Sequence, residues 1–116
     1  MGGEIPDEFF HLTTLREFEI PRDNFVGRLE SMSDQLLNFT LLEDLDLAHN
    51  DFTGPIPNIF LQFKDLEELK LQGNPLTGEI PVEVCLERGT GNGQIGVLTV
   101  GCDIKCSCCD PNPDRN

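Results

Sequence analysis

The chain has 116 residues, of which 38% are hydrophobic and 25% charged, with eight Phe and neither Trp nor Tyr. That length supports one domain with a modest core of Leu, Ile, Val and Phe. A formal net charge of −13 excludes a nucleic-acid binder and disfavours an anionic membrane surface, since few cations exist to meet phosphates. No apolar run approaches the roughly 20 residues needed to span a membrane.

In chain order, "MGGEIPDEFF" has neither a basic region nor an apolar stretch, so it does not read as a secretory signal. It also lacks Ser or Thr at position 6, as myristoylation requires. "GGEIP" reads as the back half of a coil, with Phe9 and Leu12 continuing a three-residue apolar spacing. "LREFEIPRDNFVGRLE" then supplies a short alternating strand through Leu15, Phe18 and Ile20. After "SMSDQ", "LLEDLDLAHNDFTGPIP" runs from Leu41 to Pro57, and "DLEELKLQGNPLTGEIP" from Asp65 to Pro81. The glycine-rich "RGTGNG" reads as a loop. "IGVLTVGCD" follows as a last strand, and "CDIKCSCCDPNPDRN" ends the chain.

These segments repeat. Leu42 and Leu66, Asn50 and Asn74, Gly54 and Gly78, and Ile56 and Ile80 all lie 24 residues apart. Gly3 precedes Gly27 by the same 24, while three extra residues near "SMSDQ" stretch the next interval to 27. Alternating apolar residues give each unit a short strand with one face in water. A lone strand of that length is unstable, so units must stack and pair in parallel. Asn50 and Asn74 stand where the chain turns inward, and an amide there can satisfy backbone groups that water does not reach. Gly54 and Gly78 suit a turn with positive φ, and the Ile-Pro pairs start an extended stretch on the back. The fold class is therefore α/β: a right-handed solenoid with short parallel strands on the concave face, and loops and 3-10 turns on the convex face. Residues 1–14 form the back half of a truncated coil, 15–84 complete coils, 85–109 a cysteine-containing cap with a final short strand, and 110–116 a disordered tail.

The pattern L-x-x-L-x-L-x-x-N-x-L-x-G-x-I-P resembles the plant-type leucine-rich repeat over about residues 3 to 85. It departs from it at Asp23, which stands for Asn, and at "RLE", Arg28 to Glu30, which replaces x-I-P. The ending IP-x-x-x-C, L-T-x-x-C, C-x-C-C is similar to the carboxy-terminal cap of diatom-type leucine-rich-repeat proteins, with "DPNPDRN" replacing their further cysteines. The resemblance implies a concave binding surface whose variable positions carry function.

Read across coils, those positions give ladders about 4.8 Å apart. Glu17, Asp44, Glu68 and Val97 form one, and Glu19, Asp46, Lys70 and Thr99 the next. Pro21, Ala48, Gln72 and Gly101 form a third, with Arg22, His49 and Gly73 just beyond. The expected partner-binding residues are Glu17, Glu19, Arg22, Asp44, Asp46, His49, Glu68, Lys70 and Gln72. Five stacked carboxylates suit a basic peptide or protein segment; a solvated face on an acidic protein is the alternative. Calcium is disfavoured for lack of a D-x-[DN]-x-[DN]-G loop. His11 and His49 form no triad with Ser or Cys, and no phosphate loop appears, so no catalytic residues, metal or cofactor are expected. "NFT" makes Asn38 a candidate glycosylation site.

Five cysteines remain: Cys85, Cys102, Cys106, Cys108 and Cys109. A solenoid must cover its terminal core, and disulfides in an oxidising compartment do so. C-x3-C-x-C-C is not a zinc-knuckle spacing, and a redox centre is not expected. Free or lipidated thiols are the other alternative. The odd count leaves one cysteine free, shared between chains or lacking its partner, and spacing assigns no connectivity. The expected function is a non-enzymatic protein- or peptide-binding module, the carboxy-terminal part of an extracellular, receptor-like protein, with no nucleic-acid partner and no membrane insertion by this segment. A structural or adhesive role and a cytosolic scaffold are the alternatives; the latter fits the missing signal but leaves the cysteines unexplained.

Overall fold

A computed structural model describes residues 3–20, 22–80, 82–89, 95–101 and 104–111. Strand β1 (Gly3–Glu4) leads through a 3-10 turn at Asp7–His11 to β2 (Glu17–Glu19) and β3 (Phe25–Arg28). A 3-10 turn at Leu29–Met32 continues directly into α1 (Ser33–Leu36), then β4 (Asp44–Asp46) and β5 (Asp51–Pro55). A third 3-10 turn at Asn58–Gln62 precedes β6 (Glu68–Lys70) and β7 (Leu76–Thr77). Helix α2 (Val82–Gly89) and β8 (Val97–Thr99) complete the order.

The strands form two parallel four-stranded sheets, β2-β4-β6-β8 and β1-β3-β5-β7. The chain is thus an α/β leucine-rich-repeat solenoid. In the first sheet the central residue of each strand, Phe18, Leu45, Leu69 and Leu98, points into the core and pairs in register with the next. Each fully buried Leu or Phe contributes on the order of 2 kcal/mol by leaving water. At the amino-terminal end the core is aromatic: the Phe39 ring centroid lies 5.0 Å from Phe18 and 5.8 Å from Phe10. Phe10, not the expected Phe9 or Leu12, is the buried one; those two are 44% and 47% exposed.

Three features depart from the sequence expectation. The convex side carries a second sheet besides its 3-10 turns. Asp51–Pro55 alternates exposed and buried residues with a period of two, and its Gly54 pairs with Leu76 of β7. The glycine keeps positive φ, +87°, as does Gly78 at +86°, so turn chemistry and strand pairing coexist at one position. The three extra residues between Gly27 and Gly54 fall where the chain forms α1 rather than a loop. Helix α2 straddles the expected cap boundary at residue 85 and buries Val84. Its Glu, Leu and Arg content favours helix. Arg88 and Gly89 of the expected glycine-rich loop belong to α2, and its residues 90–93 lie outside the described residues.

Candidate functional site: the concave sheet and its cap

The inward turns after β4 and β6 of the concave sheet are each held by an asparagine. Asn50 is buried; its Oδ1 accepts from the N–H groups of Asp23 (3.1 Å) and Phe25 (3.0 Å) in the preceding coil. Its Nδ2 donates to the carbonyls of Ala48 (3.2 Å) and Leu47 (3.4 Å). Asn74 accepts from Phe52 N–H (3.0 Å) and donates to the carbonyls of Leu47 (2.9 Å), Leu71 (3.1 Å) and Gln72 (3.4 Å). Each amide therefore ties two coils together, which fixes the register of the strands beside it.

That register builds two polar rows. Glu17, Asp44, Glu68 and Val97 pair in one, and Glu19, Asp46, Lys70 and Thr99 in the other. Glu17 and Glu19 are exposed, while Asp44, Asp46, Glu68 and Lys70 are half-buried. With Leu45 they line a depression of about 50 Å³. Lys70 Nζ sits 3.6 Å from Glu68 Oε1, so one cation stands among five carboxylates here. Asp44 shows the consequence: burial raises its pKa above 3.8, and the Glu68 charge and a side-chain hydrogen bond with Glu68 push the same way, against Lys70. Asp46 also accepts from Ala48 N–H at 3.0 Å, which holds its carboxylate against the strand end.

Beside this acidic stripe runs a groove of about 460 Å³ lined by Arg22, Asp46, Lys70, Gln72, Thr99 and Asp110, among others. Gln72, expected on the partner face, lines this groove but is itself buried, and Thr99 Oγ1 donates to its Oε1 at 2.6 Å. Backbone pairing continues past the strand ends, with the Leu47 and Leu71 N–H groups reaching the Lys70 and Thr99 carbonyls; Ala48 is buried as well. Pro21 lies outside the described residues. His49 is half-buried in the left-handed region, φ +60°, and its N–H donates to Gln72 C=O at 2.9 Å. It lies against Gly73, where an added Cβ would come within 3.0 Å of His49 Cα and collide with the imidazole Nδ1. His11 is exposed in its 3-10 turn, and Asn38 is exposed after α1.

The cap closes the other end with two disulfides, Cys85–Cys108 and Cys106–Cys109. The Cys85, Cys106 and Cys108 sulfurs lie within 4.8 Å of one another, close enough to hold a metal as thiolates, but here they are committed to S–S bonds. Cys102 lies outside the described residues. Lys105 bridges to Glu79, so the cap extends the convex side, with Ile80 N–H donating to Lys105 C=O at 2.9 Å. Asp110, expected as the first tail residue, is instead part of the fold. Leu98 N–H donates to its Oδ2 and its own N–H to Leu98 C=O, both at 2.8 Å. Sequence reasoning missed Asp110 and the Gln72–Thr99 pair, because neither belongs to the repeat pattern.

The geometry is that of a leucine-rich-repeat solenoid with an open concave sheet and a disulfide-closed carboxy-terminal end. Comparison with known proteins agrees: the Leucine Rich Repeat family model matches residues 41–63 and 65–86. Among solved structures, the ectodomain of the receptor kinase SOBIR1 from Arabidopsis thaliana superposes with a TM-score of 0.66 at 26% identity over 87% of this chain. A plant ice-binding protein does so at 0.54 and 22% identity over 86%, which shows likeness of fold alone. The chain spans 49% and 39% of those two chains, respectively. No curated protein sequence matches it. Among the described residues no helix is long and apolar enough to cross a membrane.

Proposed function

We propose that the chain is a non-enzymatic recognition module that binds a protein or peptide with a basic segment along its concave sheet, within an extracellular or cell-surface protein. The observation that carries this is the in-register stacking of Glu17, Asp44 and Glu68 beside Glu19 and Asp46, with the groove opening next to them. Stacked carboxylates repel, and a bound Lys or Arg would counter the burial and the Glu68 charge that together hold Asp44 toward its protonated form. The likeness to a receptor-kinase ectodomain and the two disulfides support the extracellular placement. On this reading residues 1–14 are a half coil, 15–84 the recognition coils and 85–109 the cap, which is similar to the diatom-type ending.

The test is selection of displayed random peptides on the folded chain at low salt. Selected peptides should be rich in Lys and Arg, and Glu17→Lys, Asp44→Lys and Glu68→Lys together should abolish their retention. Retention that survives this charge reversal would sink the reading.

A second reading, self-association, draws on the opposite end. Exposed Phe9 and Leu12 lie in the coil that carries β1 and leads into β2, the outermost strands of both sheets. Concentration-dependent sedimentation distinguishes it: a monomer at every concentration rules it out.

A further inference from the structure

We propose that Asn38 is an asparagine-linked glycosylation site, taking its oligosaccharide from a lipid-pyrophosphate donor. Asn38-Phe39-Thr40 satisfies N-x-T with a middle residue other than Pro. The fold presents it in a pinned turn. After α1, Leu37 N–H reaches Ser33 C=O (3.2 Å), Asn38 N–H reaches Gln35 C=O (3.1 Å) and Phe39 N–H reaches Leu36 C=O (3.1 Å). Phe39 is fully buried in the aromatic cluster, while Asn38 and Thr40 on either side of it are exposed. Thr40 N–H closes the turn on Asn38 C=O at 3.0 Å. A sugar on Asn38 Nδ2 would therefore project into solvent without displacing any core group. Asn50 and Asn74 differ, because their amides are committed to backbone groups of two coils.

Two further observations point the same way. The site falls in the interval stretched to 27 residues, just past α1 and away from the repeat's own structural asparagines. The two disulfides require an oxidising compartment of the kind in which such transfer occurs. In the transfer, Asn38 Nδ2 attacks the anomeric carbon of the lipid-linked sugar. The C–O bond to the pyrophosphate breaks, its electron pair leaving with the lipid pyrophosphate. A C–N bond forms, and one amide proton passes to a base of the transferase. The inference goes beyond concave-face binding and does not depend on it.

The test expresses the whole chain behind a cleavable secretory leader in a eukaryotic host and measures intact mass with and without peptide N-glycosidase. One N-glycan is expected, with enzymatic release converting the asparagine at position 38 to aspartate. Asn38→Gln and, independently, Thr40→Ala should each remove it, whereas Thr40→Ser should retain it. Wild-type chain that is secreted with both disulfides formed but carries no sugar overturns the proposal, as does a sugar that persists in Asn38→Gln.

Discussion

Replacing either structural asparagine by alanine should loosen the solenoid, and the two replacements should differ in a set order. In Asn50→Ala, the N–H groups of Asp23 and Phe25 lose their acceptor; in Asn74→Ala, among the described residues, only the N–H of Phe52 does. A buried donor left unsatisfied costs about 1–3 kcal/mol, and these donors are part-buried, so the lower half of that range applies. Asn50→Ala should then cost about 2–4 kcal/mol and Asn74→Ala about 1–2 kcal/mol. With a urea slope of about 2 kcal/mol per M, the unfolding midpoint should fall by about 1–2 M and about 0.5–1 M respectively. Hydrogen exchange gives a local check, since the Asp23 and Phe25 amides should lose protection in Asn50→Ala while Phe52 keeps it. An Asn50→Ala protein as stable as wild type, or more stable than Asn74→Ala, would refute the view that these amides are what joins the coils.

The parts of the fold that were readable from sequence are those encoded by two periods at once. The repeat, stretched to 27 residues between Glu17 and Asp44 and 24 between Asp44 and Glu68, aligned these three, and the two-residue alternation within each strand put Leu45 and Leu69 on the opposite face, so the paired rows emerged without coordinates. The convex sheet was hidden because its alternation passes through glycine and proline at Gly54 and Pro55, residues whose local chemistry argues for a turn. The burial of Gln72 was hidden for a different reason. Periodicity aligns it with Ala48 but says nothing of the Thr99 hydroxyl that bonds it across coils. The disulfide pairing and the Asp110–Leu98 bonds depend on how the cap folds back on the last coil. No period encodes that, and four cysteines so close in sequence offer several reachable partners.

Two further perturbations probe the ends of the molecule and the acidic rows. Cys85→Ser with Cys108→Ser removes a link across 23 residues, worth about 3.4 kcal/mol by loop-closure entropy, whereas Cys106→Ser with Cys109→Ser removes one across 3 residues, worth about 1.6 kcal/mol. Urea titration of the two double variants should show that order, and equal losses would mean that native packing rather than chain entropy dominates. Asp44→Asn should raise stability at neutral pH. Its pKa in the folded chain lies above 3.8, so the fold favours the protonated carboxyl. The stability this contributes is present below pH 3.8 and is lost as pH rises through the folded-state value, leaving a net burden at pH 7. The melting-temperature advantage of Asp44→Asn should therefore be seen at pH 7 and vanish below pH 3.8. Added salt should shrink it only in part, because burial, the first cause, is not screened, while the Glu68 charge is. An advantage that stays constant from acid to neutral pH would show that Asp44 is not held toward its protonated form, and that the concave rows carry no electrostatic tension for a basic partner to relieve.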